Sequence, residues 1–448
     1  MKYHFIAIGG SAMHNLALAL QDAGHQITGS DDALYEPAKS RLEHLNLAPS
    51  TLGFDASNVP DDCDAVILGM HAKPHNIELL DAQERGLRIY SYPEFIYEQS
   101  KQKTRVVIAG SHGKTTITSM ILHVMRYHDK EIDYLVGAQL DGFDRMVRLS
   151  EDADFMLIEG DEYLSSAIDR RPKFLWYQPN IALLSGISWD HINVFQTEEI
   201  YVDQFRQFLE SIVPGGSLTY YSNDPVVKSL AEGLSVPIRK FSYADAAHEI
   251  SGDQTHLLTE EGPLAVSIFG THNMANIEGA RWICQQLGVD TADFYEAIAS
   301  FKGAAKRLEP IASNRALVFK DFAHAPSKVR ATCAAVKAQF TQLKLHAFLE
   351  LHTYSSLTPE FITNYRGALT GAETALVLYD PEAIALKGMQ PLSELFLKEA
   401  FGRDDLKVVT SRETFFQEID TVNDKESVIL MMSSGNFARF DFSYFKGI

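Results

Sequence analysis

Short apolar runs recur along the chain, each ending at glycines or carboxylates and followed by apolar positions at helical spacing. Residues 3–8, 26–30, 64–69 and 87–91 read as strands, with a helix carrying Leu16, Leu18, Leu20 and Ala23 after the first. Residues 105–109 lead into Gly110, and the apolar positions 117, 120, 121, 124 and 125 then mark a helix. Strands at 154–158 and 180–184, then 316–319, 345–350, 374–379, 406–410 and 427–432, continue the alternation with helical stretches. The pattern predicts an α/β chain with mainly parallel sheets. Residues 240–268 are polar with brief alternation, which predicts β-structure without fixing its strands. The polar run Ser100-Lys-Gln-Lys-Thr104 reads as a linker, so boundaries are expected near 102/103 and, ahead of the strand at 316, at 309/310.

The chain's 448 residues suit about three domains. Apolar residues make up 46% and charged ones 22%, a globular balance. The 40 basic and 59 acidic residues give −19, which argues against nucleic acid or anionic membranes as partners. Anionic ligands must then be held locally. Met1 runs straight into a strand, and no apolar run approaches the roughly 18 residues of a membrane helix, so a soluble cytoplasmic protein is expected. Cys63, Cys284 and Cys333 have neither disulfide nor zinc spacing and read as packed thiols.

The chemistry concentrates after the strand at 105–109. Gly110-Ser-His-Gly113-Lys114-Thr115-Thr116 has the composition of a phosphate loop: turn amides and a helix N-terminus for a phosphate, Lys114 for the outer phosphates, a Thr hydroxyl for Mg2+. Ile108 stands where the longer form of the motif has its first glycine. Glu159, Asp161 and Glu162 close one apolar strand, and Asp190-His191 closely follows another, at the edge where α/β sheets hold ligands. Alone, each reads as a solvated strand end; together after a phosphate loop, Thr115, Glu159 and His191 make a mixed Mg2+ shell around ATP. Asn273 and Asn276 open a helix as caps or as readers of adenine, and Lys306-Arg307 put cations at a hinge. Gly9-Gly10-Ser11, with Asp31 about 20 residues on, form a degraded dinucleotide fingerprint, suiting a nucleotide diphosphate or, in a dehydrogenase, NAD.

These motifs in this order resemble the Mur ligases, the cytoplasmic ATP-dependent amide-forming enzymes of peptidoglycan synthesis, over essentially the full length. The resemblance includes His272-Asn273-Met-Ala-Asn276, Lys306-Arg307-Leu-Glu309 and Asp321-Phe-Ala-His324-Ala-Pro326. It implies a Rossmann-like UDP-sugar-binding domain (1–102), a central P-loop ATPase domain (103–309) and a C-terminal Rossmann-like α/β domain for the amine (310–448). It implies Gly9, Gly10, Ser11 and Asp31 at UDP, Gly110, Gly113, Lys114, Thr115, Thr116, Asn273, Asn276, Arg307 and Asp321 at the nucleotide, and Thr115, Glu159 and His191 at Mg2+. Lys114, Glu159, His191 and Arg307 are then the catalytic set. The substrates implied are UDP-N-acetylmuramate, ATP and an amino acid or peptide, joined through an acyl phosphate, with His324 or His352 taking the amine's proton.

Within the family, Tyr35-Glu-Pro37, Tyr163, Asp169-Arg170-Arg171-Pro-Lys173-Phe174 and Phe195 resemble the ligases that recycle L-alanyl-γ-D-glutamyl-meso-diaminopimelate; L-alanine is the alternative amine. Ala7, Ala12 and His14 replace glycines usual in the UDP loop, Lys320 and Ala325 depart from the third-domain motif, and Leu349-Glu-Leu-His352 departs from the recycling pattern. No lysine occurs from 174 to 227, so the carbamylated lysine of other members is not expected. A folylpolyglutamate synthase lacks such an N-terminal domain, and a non-catalytic UDP-sugar or NAD binder leaves the ATPase motifs unexplained.

Overall fold

β3 (Ala65–Leu68) is four apolar residues buried on both faces, the mark of a strand inside a parallel sheet. In a computed structural model that describes residues 1–446 apart from 139, 141, 144, 387, 436 and 438, it pairs with β1 (Lys2–Ile6) and β4 (Arg88–Ser91). With β2 (Gln26–Ser30) the order is 2-1-3-4, all parallel. The helix Ile77–Glu84 is capped by Asn76, whose Oδ1 accepts from the amides of Glu78 and Leu79. Glu78 is wholly buried beneath the sheet. It accepts from Asn58 Nδ2 (2.8 Å), the Asp55 amide (3.1 Å) and the Ser30 hydroxyl, and faces His4 Nε2 at 3.3 Å. Burial opposes its charge, but His4, Ser30 and Asn58 outweigh it and hold the carboxyl below its usual range.

The chain's contacts gather it into two units, the first comprising Met1–Ile187, Val202–Tyr243 and Trp282–Leu287. Its second sheet contains β5 (Thr104–Ala109), β6 (Asp133–Leu135), β7 (Val147–Arg148), β8 (Phe155–Gly160), β9 (Ile181–Leu184), β10 (Ser217–Tyr221) and β11 (Arg239–Tyr243). The order is 11-10-9-5-8-6-7, parallel except for β6 against β7. The expected linker at 100–104 is a short turn clamped by buried Arg105. Its guanidinium donates to the carbonyls of Ser100 (3.1 Å), Lys101 (3.2 Å), Tyr177 (2.8 Å) and Gln178 (3.1 Å). The two sheets of this unit are tied by the Met146 amide on Asn15 Oδ1 (3.0 Å) and by Arg145 with Asp22 (2.9 Å).

The second unit holds Ser188–Tyr201, Ala244–Arg281 and the chain from Gly288 onward. Residues 248–266 form an antiparallel meander, β12 (His248–Ser251), β13 (Gln254–Thr259) and β14 (Gly262–Val266), with Gly252 and Gly262 at positive φ in its turns. A six-stranded sheet follows: β15 (Glu309–Ile311), β16 (Leu317–Asp321), β17 (Lys344–Glu350), β18 (Thr374–Leu378), β19 (Lys407–Val409) and β20 (Ser427–Met432), in the order 15-16-20-17-18-19. Only β15 runs antiparallel to its neighbour. The helix Pro326–Gln339 packs Val329, Cys333 and Val336 into one core with Leu345, Ala347 and Leu349; Phe348, Phe415 and Phe437 belong to another. Gln339 ties the meander to this helix through Thr255 Oγ1 (2.9 Å) and the Asp253 carbonyl (2.7 Å). All three cysteines are free and buried, and burial pushes the Cys333 thiol up to about 12.

Candidate active site

In the first unit, central β5 ends at Gly110 (φ 134°), Ser111 and His112 turn the chain, and Gly113 (φ 76°) opens the helix Lys114–Tyr127 with no side-chain cap. A β-carbon on Gly110 would overlap Ser185 Oγ, and Ser185 Oγ itself donates to the His112 carbonyl. The first-turn amides of the helix have no side-chain cap, an arrangement able to take an anion. Lys114 Nζ donates to the Gly110 carbonyl (2.5 Å) and to Glu162 (2.6 Å). Burial opposes its charge, but Glu162, Asp161 and Glu159 raise its pKa above the ordinary lysine value.

Each carboxylate at the end of β8 and just beyond it has its own partner. Glu159 accepts from Thr115 Oγ1 (2.8 Å) and the Gly137 amide (2.8 Å), Asp161 accepts from Lys173 Nζ (2.5 Å) and the Tyr163 amide (3.1 Å), and Glu162 takes Lys114. Burial opposes ionisation of Asp161, yet Lys173 and Lys114 hold its carboxyl well below the usual range. Among the described residues no three His, Cys, Asp or Glu side chains gather as a metal site. Thr115 and Glu159 are nonetheless hard oxygen donors, fitting a divalent cation that keeps most of its shell as water and phosphate oxygens.

At the end of β1, Ala7 takes a left-handed conformation (φ 65°) and Gly9 donates to Asp31 Oδ2 (2.7 Å). A β-carbon on Gly9 would lie 2.7 Å from Leu34. Gly10 precedes the helix Ser11–Asp22, which has no side-chain cap. His14, where a glycine was expected, is buried, and its Nδ1 lies 2.9 Å from the Gly10 carbonyl. Burial pushes the Asp31 carboxyl up and the His14 imidazole down.

The second unit gathers Asp190, His191, His324 and Lys328. Asp190 Oδ1 accepts the His191 amide (2.7 Å), and His191 is left-handed (φ 56°). Burial opposes the Asp190 charge, while His191, Lys328 and His324 depress its pKa. His324 has Nδ1 2.9 Å from the Phe322 carbonyl; burial and Lys328, against Asp190, bring its pKa down to about 4. Asn273 Nδ2 donates to the Phe269 carbonyl (2.9 Å) and its Oδ1 accepts from Asn276 Nδ2 (3.2 Å). Asp321 is buried, with both oxygens on backbone amides: Leu308 on one (2.7 Å) and Ala323 on the other (2.7 Å). Arg307 lies between left-handed Lys306 and Leu308 with its guanidinium 4.8 Å from the Phe322 ring. His352 is exposed beyond β17, beside Gly435.

Sequence reasoning thus found the loop and its carboxylates but missed Glu162 as the partner of Lys114, Lys173 as that of Asp161, and Lys328 beside Asp190. These charges meet only through the fold; no local spacing announces them.

Residues 2–104 match the family model described as Mur ligase family, catalytic domain, and residues 108–284 match the Mur ligase middle domain. The UDP-N-acetylmuramate--L-alanine ligase of Sulfurihydrogenibium sp. is 30% identical over 367 residues, 80% of this chain and 78% of that protein. The solved UDP-N-acetylmuramate-alanine ligase of Thermotoga maritima superposes with a TM-score of 0.71 at 20% identity, covering 99% of this chain and 97% of that one. The UDP-N-acetylmuramate:L-alanyl-gamma-D-glutamyl-meso-diaminopimelate ligase of Neisseria meningitides gives 0.60 at 26% identity, over 67% and 98%. The expectations of an NAD-binding module or a non-catalytic binder fall away: this chain belongs to the Mur ligase family and is an ATP-dependent ligase of peptidoglycan metabolism.

Proposed function

We propose that the enzyme activates the lactyl carboxylate of UDP-N-acetylmuramate with ATP and joins it to L-alanine. The carrying observation is the 30% identity over most of both chains with a ligase named for that amine. Several of the residues that suggested the tripeptide are held by internal contacts, although Tyr35 is exposed. Phe195 is buried against Tyr201, Phe174 is stacked on Phe208, and Arg171 and Lys173 are paired with Asp169 and Asp161. Of these, Phe195, Phe174 and Lys173 are spent on internal contacts and do not read a peptide, whereas Arg171 faces solvent. The tripeptide remains the second reading, favoured by the 26% identity with the Neisseria ligase.

In the proposed reaction the carboxylate attacks the γ-phosphate to give an acyl phosphate and ADP; the amine then displaces phosphate and forms the amide. The first-turn amides after Gly113, with Thr116 and the Lys114 ammonium, hold the phosphates. Thr115 and Glu159 would supply oxygen ligands to Mg2+, which offsets charge on the phosphoryl oxygens when bound. His191, Asn273, Asn276 and Arg307 are proposed as the second unit's nucleotide and metal contacts, and Gly9, Gly10, Ser11 and Asp31 as those of UDP. Asp321, whose two oxygens fix the chain around Arg307, is proposed beside them at the nucleotide. A histidine with a pKa of about 4 is a weak proton acceptor, which supports exposed His352 over His324 as the base for the amine.

Three domains, at 1–102, 103–309 and 310–448, are part of the proposal, supported by the confinement of the three large sheets to residues 2–91, 104–243 and 309–432. A cytoplasmic site of action follows from the nucleotide substrates, and among the described residues no helix is long and apolar enough to cross a membrane. The test is phosphate release with UDP-N-acetylmuramate, ATP and Mg2+, adding L-alanine or the tripeptide. Release with L-alanine is expected; release with the tripeptide alone overturns the amine assignment in favour of the second reading.

A further inference from the structure

Lys173 was singled out in the sequence as a mark of substrate preference, yet its ammonium lies beside the phosphate loop's own carboxylates. The segment from Asp161 to Phe174 folds back on itself. Lys173 N donates to the Tyr163 carbonyl (2.8 Å), Phe174 N to the Asp161 carbonyl (3.1 Å), and Leu164 bridges to Pro172. This brings Lys173 Nζ to 2.5 Å from Asp161, with the rings of Tyr92 and Tyr163 at 5.7 and 5.9 Å. Lys173 is only 8% exposed, so its charge is fixed rather than free to wander.

The end of β8 and the residues just after it carry three carboxylates within four positions, Glu159, Asp161 and Glu162, which would, unpaired, attract any nearby cation. Lys114, the nearest one on the loop, is pulled by Glu162 and by Asp161 together. We propose that Lys173 is a positioning residue for Lys114: by occupying Asp161 it leaves the loop lysine to Glu162 and to the nucleotide. This rests on the reading of Lys114 as the phosphate-binding lysine. Without Lys173, Asp161 competes for the Lys114 ammonium and draws it from the phosphates.

The test is titration of the full chain with a fluorescent ATP analogue and Mg2+, beside UDP-N-acetylmuramate binding by calorimetry and a thermal melt. Lys173→Met is expected to weaken nucleotide binding about tenfold, the effect of one misdirected partly exposed ion pair, while UDP-N-acetylmuramate still binds. Adding Asp161→Asn removes the competing charge, keeps an acceptor for the Tyr163 amide, and is expected to restore nucleotide affinity to within about threefold. A purely structural Lys173 would give no such rescue. Should Lys173→Met not fold, Lys173→Gln, which keeps a donor toward Asp161 without the charge, carries the same expectation. Unchanged nucleotide affinity in the single variant, or no recovery in the double variant, overturns the inference. Lys114→Ala is the control: normal nucleotide binding in that variant would remove the phosphate-loop reading itself, and the inference with it.

Discussion

Replacing Asp321 by alanine should release the segment that carries Arg307. Both carboxylate oxygens accept backbone amides at 2.7 Å, from Leu308 and Ala323, and the side chain is 6% exposed. A hydrogen bond to a charged group contributes about 1.5–3 kcal/mol, so the loss of two is expected to cost about 3–6 kcal/mol. The Leu308 side of the clasp also holds strain. Lys306 and Leu308 are both left-handed, each at a cost of roughly 1–2 kcal/mol for a side-chain-bearing residue. Removing the anchor lets that strain relax by opening the segment rather than by shifting within it. Urea unfolding of a chain with more than one unit need not be two-state, so the sharper assay is amide hydrogen exchange at Leu308 and Ala323. A local loss of about 3 kcal/mol corresponds to about a hundredfold faster exchange at both amides. Asp321→Asn keeps one acceptor but turns a donor toward the other amide, so one of the two sites should lose protection more than the other. Exchange in Asp321→Ala within about threefold of the parent protein, a change of under about 1 kcal/mol, would refute the account of Asp321 as a clasp.

Three further outcomes follow from the geometry. Gly110→Ala forces a β-carbon at φ 134° onto Ser185 Oγ, and the resulting shift of the loop should lower ATP-dependent phosphate release on the order of a hundredfold, read by a coupled phosphate assay. Phe174→Ala removes a fully buried ring stacked 4.8 Å from Phe208 and should cost about 3–5 kcal/mol, visible as a lower melting temperature. His324 has its pKa lowered to about 4 in the folded chain, so between that value and the roughly 6.5 of an unfolded histidine the unfolded state binds the extra proton. Stability should therefore fall as pH drops from about 6.5 toward about 4, and His324→Gln should flatten that part of a melting-temperature profile against pH.

The apolar runs gave away the central strands, because a strand buried on both faces has to be a short, largely apolar run, as Ala65–Leu68 and Ser427–Met432 are; β6, β7, β10, β11 and β15 went unread. The glycine turn at 110–113 was equally legible, since the positive φ of Gly110 and Gly113 excludes most other residues. Less visible were features made by residues far apart in the chain. Arg105 clamps carbonyls up to 73 positions away, Glu78 collects partners from three segments, and Lys173 reaches Asp161 only because the intervening residues fold back. The meander at 248–266 was blurred because its strands are short and half exposed, so side-chain alternation is weak there. Phe195 and Lys173, which resemble the recycling ligases in the sequence, are packing and pairing residues in space, a role that no string of letters shows.

The strand order of the six-stranded sheet bears on how the protein is made. The first sheet draws only on residues 2–91 and has all four strands once that stretch has left the ribosome. In the six-stranded sheet, β20 lies between β16 and β17, although roughly 105 residues separate the end of β16 from its start. At roughly 5–20 residues per second, β16 and β17 wait on the order of ten seconds for the strand that joins them, with apolar edges unpaired. Chaperone dependence and co-translational aggregation are therefore expected to map to this part of the chain, and slowing synthesis between residues 350 and 427 should worsen both.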